Sequence, residues 1–103
     1  MNLDEATLKE CADWVAEQVS EDLGGFVSSE LVDLVIELDL AIRSDLGDPQ
    51  MDHKAMTTAL MPRLEEAGAP VKTGGVTPYL VEEILYWLDE ALAMAGHIRE
   101  VRR

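Results

Sequence analysis

Residues 76–96, VTPYLVEEILYWLDEALAMAG, decide the fold class, because they carry a full set of signals for one amphipathic helix. Thr77 is a suitable N-cap, Pro78 suits the first helical position, and Gly96 follows the last periodic residue. The apolar face recurs at helical spacing and consists of Leu80, Val81, Ile84, Leu85, Leu88, Ala91, Leu92 and Ala95. The opposite face carries Glu82, Tyr86, Asp89 and Glu90, with Tyr79 nearby. We therefore predict that Tyr79 and Tyr86 are largely exposed.

Glycine and proline divide the rest of the chain into three further segments of helical length. The predicted helices run from about Asp4 to Asp22, from about Ser29 to Asp45 after a Ser28 N-cap, and from Asp48-Pro49 or Asp52 to Gly68. Pro62 lies inside the third helix, where its missing N–H predicts a kink or a split. No segment longer than four residues alternates cleanly between apolar and polar side chains, so no strand is predicted. The fold prediction is an all-α, compact four-helix domain of two helical hairpins, spanning residues 1–103 and ending in a short basic tail at 97–103.

Apolar side chains cover most of the circumference of the second predicted helix. They are Leu31, Val32, Leu34, Val35, Ile36, Leu38, Leu40, Ile42 and Leu46. A helix that is apolar nearly all round is a central one, so Leu38→Ala is expected to cost about 2–5 kcal/mol. Asp39 lies within the apolar arc and Arg43 follows four residues later, the favourable order for an ion pair. We expect a structural pair here rather than a catalytic aspartate.

Two segments of the chain align with each other at a constant offset of 49 residues. Residues 27–36 and 76–85 each follow a Gly-Gly pair, and each segment leads into a helix that ends at a glycine. Two hairpins packed pseudo-symmetrically would explain the match. Shared capping and aliphatic periodicity would explain it as well, so the duplication stays open at this point.

The negative charge of the chain is concentrated in its first half. Residues 1–52 contain fourteen Asp and Glu against only Lys9 and Arg43, whereas residues 53–103 contain seven acids and six bases. This asymmetry disfavours direct nucleic-acid or membrane binding by the first half, and it favours a basic protein surface as the partner.

The first predicted helix carries a row of acids opposite its apolar stripe. The row consists of Glu10, Asp13, Glu17 and Glu21. Trp14 falls within about 40° of it, so either a neighbouring segment or a partner must cover this indole. A solvated face is the ordinary interpretation of the row, and imitation of a phosphate backbone is the alternative. The predicted partner-binding residues are Glu10, Asp13, Trp14, Glu17, Glu21, Tyr79 and Tyr86.

No constellation in the sequence suggests catalysis. Cys11, His53 and His97 are isolated from one another and lack metal-ligand spacing. We therefore expect no catalytic residue, no cofactor and no metal, and one cysteine excludes an internal disulfide. The first residues show no signal-peptide pattern, and the longest apolar run is Leu34-Val35-Ile36, so a cytoplasmic location is expected.

These features predict a non-catalytic protein-binding module. The favoured function is an acidic inhibitor or regulator that docks on a basic surface of a nucleic-acid-handling protein, acting as a nucleic-acid mimic. The alternative is a helical assembly or scaffold subunit, for example of a phage or another multiprotein complex. Its copies would form a homo-oligomer through contacts between the acidic face of one and the basic tail of the next.

Overall fold

The computed structural model describes residues 4–101 and contains four α-helices. They are α1 (Glu5–Leu23), α2 (Ser29–Leu46), α3 (His53–Glu66) and α4 (Pro78–Met94). No strand occurs among the described residues. The predicted all-α, four-helix domain is therefore confirmed.

Each helix begins at a side chain that accepts a hydrogen bond from a backbone N–H of the first turn. The four N-caps are Asp4, Ser28, Asp52 and Thr77, at donor–acceptor distances of 2.7, 3.2, 2.7 and 3.1 Å. A capped start satisfies one of the amide groups that a helix leaves without a partner. Asp52 is thus the cap of α3, while Asp4, predicted as the first helical residue, is the cap of α1.

The helices pack as a ring in chain order. α1 contacts α2 and α4, α3 contacts the same two helices, and α2 meets α4 across the middle. Over residues 4–101, α1 and α3 are not in contact, so they lie on opposite sides of the α2–α4 pair. The two expected hairpins, α1 with α2 and α3 with α4, are therefore present, and α2 has the central position predicted for it.

The core is aliphatic, and α4 contributes most to it. The buried residues of α4 are Leu80, Val81, Ile84, Leu85, Leu88, Ala91 and Leu92. The helix α2 is less buried than its composition indicates, since Leu38 is only half-buried and Leu46 is 63 % exposed. Leu38 still packs against the core, so truncation to alanine is expected to cost less than truncation of a fully buried leucine.

The third helix is continuous through Pro62. Of the two expected outcomes at this proline, a split is therefore wrong. The proline lacks the N–H that would reach the Thr58 carbonyl, and its ring crowds that carbonyl, which is the cause of the kink expected there.

The burial pattern supports the internal duplication. Three buried residues of α2 lie 49 positions before three buried residues of α4. They are Val32, Val35 and Ile36, which correspond to Val81, Ile84 and Leu85. Two further buried positions of α2 also match α4, but they hold Asp39 and Arg43 where α4 holds Leu88 and Leu92. The second hairpin thus has leucines in its core where the first hairpin has an ion pair.

Candidate functional site

All four acids of the α1 row are exposed in the folded domain. Glu10, Asp13, Glu17 and Glu21 lie on the outer surface, and none forms an ion pair with a basic side chain of residues 4–101. The apolar stripe on the other side of the helix buries Cys11, Ala12, Val15, Ala16 and Val19. The row is therefore directed at solvent, and its charge is not neutralised within the described chain.

A neighbouring helix covers part of Trp14. The indole is half-buried and meets Trp87 of α4 edge to face, with ring centroids 5.7 Å apart and planes at 73°. Tyr86 also packs edge to face on Trp87, at 5.4 Å. Such edge contacts are the favoured geometry for aromatic pairs, so the three rings form one continuous aromatic seam between α1 and α4.

Of the two predicted tyrosines, Tyr86 belongs to this seam and Tyr79 lies about two helical turns before it on α4. Tyr79 is 61 % and Tyr86 is 55 % exposed, which confirms their predicted exposure. The helices α1 and α4 run in opposite directions here, since Trp14 meets Trp87 while Asp22, at the end of α1, lies beside Glu83 near the start of α4. Partial burial and then the nearby Asp22 carboxyl raise the pKa of Glu83. The side of α4 that carries the tyrosines is thus joined to the acidic helix α1. We call the surface formed by the acid row, Trp14, Trp87, Tyr79 and Tyr86 the α1–α4 face.

A second group of charged residues lies inside the domain, and only part of it was predicted. Asp39 is fully buried, and Nε of Arg43 donates to its two carboxylate oxygens at 3.1 and 3.3 Å. Arg43 also donates through Nη1 to the carbonyls of Pro49 and Met51, at 3.0 and 2.8 Å. The predicted structural pair is confirmed, and it ties the α2–α3 loop to α2.

Arg99, from the C-terminal segment, completes this group. Its Nη1 donates to Oδ2 of Asp39 at 2.6 Å and its Nε donates to Oδ1 of Asp89 at 2.7 Å. Only 6 % of the side chain is exposed. Arg99 belongs to the predicted basic tail, and the structure places its guanidinium on carboxylates of the same domain. Arg102 and Arg103 lie outside the described residues.

Asp89 connects this group to the start of α3. Its Oδ2 lies 2.7 Å from Nε2 of His53, which is not aligned with it for a hydrogen bond. The carboxyl was predicted to face solvent, but its side chain is only 25 % exposed. Asp39, Arg43, His53, Asp89 and Arg99 together form what we call the polar cluster, which links α2, α3, α4 and the C-terminal segment.

Burial and charge act in opposite directions on the polar cluster. Burial alone would raise the pKa of Asp89, but contacts with His53 and Arg99 outweigh it and hold this pKa below the ordinary value. Burial alone would lower the pKa of Arg99, but Asp39 and Asp89 outweigh it and raise this pKa. Both side chains are therefore held in their charged forms by their partners.

The lowered pKa of Asp89 predicts an acid-dependent loss of stability. The folded state favours the charged carboxylate, so its contribution is complete above the unfolded pKa of about 3.8 and is lost as the pH falls through the lower folded value. Asp89→Asn should therefore destabilise the domain at neutral pH and flatten the fall in stability below about pH 4. Urea unfolding of both chains at several pH values checks this. Parallel acid slopes for the two chains would contradict it.

Little in the sequence pointed to Asp89 and Arg99. Arg99 is sixty residues from Asp39 and ten from Asp89, so no helical spacing relates it to either carboxylate. One signal was available: the duplicated segments place Asp39 where the other copy has Leu88. A carboxylate that is buried where the other copy has a leucine needs a cation beside it. Arg43 alone leaves part of the hydrogen-bonding capacity of the Asp39 carboxylate unused, which indicates a second cation.

Two cavities open on the surface. One has a volume of about 640 Å³, lies beside the polar cluster, and has Tyr86, Asp89 and Arg99 among its lining residues. The other, of about 400 Å³, is mainly apolar and is bordered by Phe26, which is 91 % exposed and was not singled out from the sequence.

Within residues 4–101 the potential metal ligands are dispersed, and the one cysteine, Cys11, is buried. No three His, Cys, Asp or Glu residues within 4–101 are arranged to hold a metal ion. Burial raises the pKa of the Cys11 thiol, which keeps it protonated and unreactive. No helix in the described part of the chain has the length and apolar character needed to cross a membrane.

Comparisons with known proteins do not place the chain in a family. No protein-family model matches it, and no curated protein or solved structure matches it.

Proposed function

We propose that the protein is a non-catalytic binding module whose α1–α4 face docks on a basic surface of a nucleic-acid-handling protein and inhibits or regulates it. The observation that carries this proposal is the exposed row of Glu10, Asp13, Glu17 and Glu21, which has no ion-pair partner within residues 4–101 and lies beside the partly exposed Trp14 of the aromatic seam. Carboxylates without internal partners are available to a partner's cations. The seam next to them supplies apolar contact area.

The spacing of the acid row suits a basic groove. Glu10 and Glu21 are eleven residues apart, which places four carboxylates along about 16 Å of helix at roughly one per turn. A regular line of negative charges along a rigid helix resembles a phosphate backbone in its charge and in its even spacing. Such a line steers a basic partner toward the helix and raises the association rate.

The aromatic side chains supply the apolar contact area of the interface, which charged side chains do not provide. Trp and Tyr are the residues that most often dominate binding energy, because they bury large areas with few rotatable bonds. Trp14, Tyr79 and Tyr86 all retain exposed surface, and Trp14 directly follows Asp13 of the acid row. Because Trp14 also packs on Trp87, truncating it removes packing inside the domain as well as contact area for the partner.

The assembly-subunit alternative has less support, because one of the three arginines of the basic tail already has partners within the domain. That model needs a free basic tail to reach the acidic face of the next copy, whereas Arg99 is bound inside its own domain by Asp39 and Asp89. We therefore favour a different, basic protein as the partner over a second copy of this chain.

Cross-linking in the native host tests the proposal. A photoreactive residue at Asp13, in the middle of the acid row, should capture a basic nucleic-acid-handling protein, and the yield should fall as salt rises, because screening shortens charge interactions. The same group at the exposed Asp45, on α2, is the matched control and should not capture it. Equal capture from both positions, or capture of further copies of this chain alone, would overturn the proposal.

A further inference from the structure

The carboxylates of Asp39 and Asp89 have the geometry of an arginine-binding site. Two hydrogen bonds of 2.6 and 2.7 Å hold the guanidinium of Arg99, one to each carboxylate. Short, charge-assisted bonds from a planar fork are the strongest means of recognising this group, and a lysine ammonium cannot reproduce them. The chain therefore shows, with its own side chain, which chemical group this site accepts.

The arginine that fills the site belongs to a segment with little other anchorage. Residues 97–101 follow Gly96, which has a positive φ of 86°, and they form no helix. Ile98 is 78 % exposed, and the backbone tie nearest to the body is the His97 N–H, which donates to the Leu92 carbonyl at 2.8 Å. The guanidinium of Arg99 adds two side-chain hydrogen bonds between this segment and the domain, both to carboxylates.

One hydrogen-bond donor of the bound Arg99 guanidinium has no acceptor among the described residues. This donor, Nη2, is buried. A buried donor without a partner costs stability, which reduces the advantage of keeping Arg99 in place. A second guanidinium in the same orientation would bear the same cost, so the selectivity of the site comes from the two short hydrogen bonds.

The neighbouring cavity gives a route to the site. The cavity of about 640 Å³ has Arg99 in its wall, and its charged lining includes the carboxylates of Asp52, Glu82, Asp89 and Glu90 against Lys54 and Arg99. Its lining also includes the half-exposed ring of Tyr86, whose face can attract a cation. A basic side chain that entered this cavity would meet Asp89 next to the bound guanidinium.

We propose that the Asp39–Asp89 pair is a guanidinium-binding site for an arginine of the partner protein, occupied in the free chain by Arg99. Entry of that arginine through the acidic cavity displaces Arg99 and releases the C-terminal segment from residue 97 onward. The inference rests on the proposed function only in taking the partner to be basic. The site is distinct from the acid row on α1, although Tyr86 borders both the α1–α4 face and the cavity.

Chemical rescue of Arg99→Ala tests the specificity of the site. Ethylguanidinium at about ten times its Kd should raise the Tm of this variant by roughly 5–10 °C, because it binds only the folded state. Ethylammonium at the same concentration should not. Arg63→Ala, which removes an exposed arginine of α3, is the control and should show no rescue. Absence of rescue, or equal rescue by the two cations, would overturn the proposal.

Hydrogen exchange on the unmodified chain tests displacement and does not depend on the variant folding. Saturating hexaarginine should speed exchange of the His97 amide by roughly tenfold, because release of the segment breaks its bond to Leu92. Hexalysine, with the same charge, should leave it protected. Unchanged exchange with hexaarginine would mean that Arg99 is a permanent structural residue. Equal acceleration by the two peptides would mean that the site does not select a guanidinium, and either result would overturn the proposal. Because neither measurement involves the α1 row, they can fail while the proposed function stands.

Discussion

Replacing Asp39 by alanine is expected to lower the free energy of unfolding by about 3–5 kcal/mol, the largest electrostatic effect in this domain. The change leaves the guanidinium groups of Arg43 and Arg99 without this shared carboxylate, and both side chains are only 6 % exposed. Removing one partner of a buried pair costs more than the pair itself contributes, because the remaining charge stays out of water. Urea unfolding measures the loss.

Asp33, on the exposed side of the same helix, provides the control for this measurement. Asp33→Ala changes the same residue type and the same net charge, but it should change stability little. If the two variants unfold at the same urea concentration, the polar cluster does not contribute to stability as described.

Replacing Leu88 by alanine should lower the free energy of unfolding by about 2–5 kcal/mol. Leu88 is fully buried in α4, the helix with the most buried side chains, so truncation leaves a cavity between α4 and its neighbours. Leu38→Ala removes the same atoms from the half-buried edge of α2 and should cost clearly less. Thermal or urea unfolding of the two variants gives the ranking. A larger loss for Leu38→Ala would place the centre of the core in α2 alone.

The local features of the fold were predictable because they depend on neighbours in sequence. The Ser28 and Thr77 caps lie three residues before the N–H groups that they bind. The Asp39–Arg43 pair lies one helical turn apart, which places both side chains on one face. In each case a spacing of three or four residues was sufficient to bring the groups together.

The features that the sequence did not reveal depend on how the helices meet. The position of Trp14 beside the acid row was predictable, but its contact with Trp87 depends on the packing of α1 against α4. The burial of Arg99 depends on the C-terminal segment folding back onto α2 and α4, and no periodic pattern encodes that return. Its position in a short basic stretch predicted only a basic tail, with no partner inside the same domain.

The affinity of two charge-reversed chains for the basic protein captured from Asp13 tests the central claim most directly. Glu10→Lys with Glu17→Lys reverses two acids of the row, and Glu30→Lys with Glu37→Lys reverses two exposed acids of α2 at the same seven-residue spacing. Both pairs change the net charge equally. The first pair should weaken binding at least about tenfold, mostly through slower association, and the second no more than about twofold. Equal weakening by the two pairs would show that the partner responds to overall charge and that α1 is not its docking site.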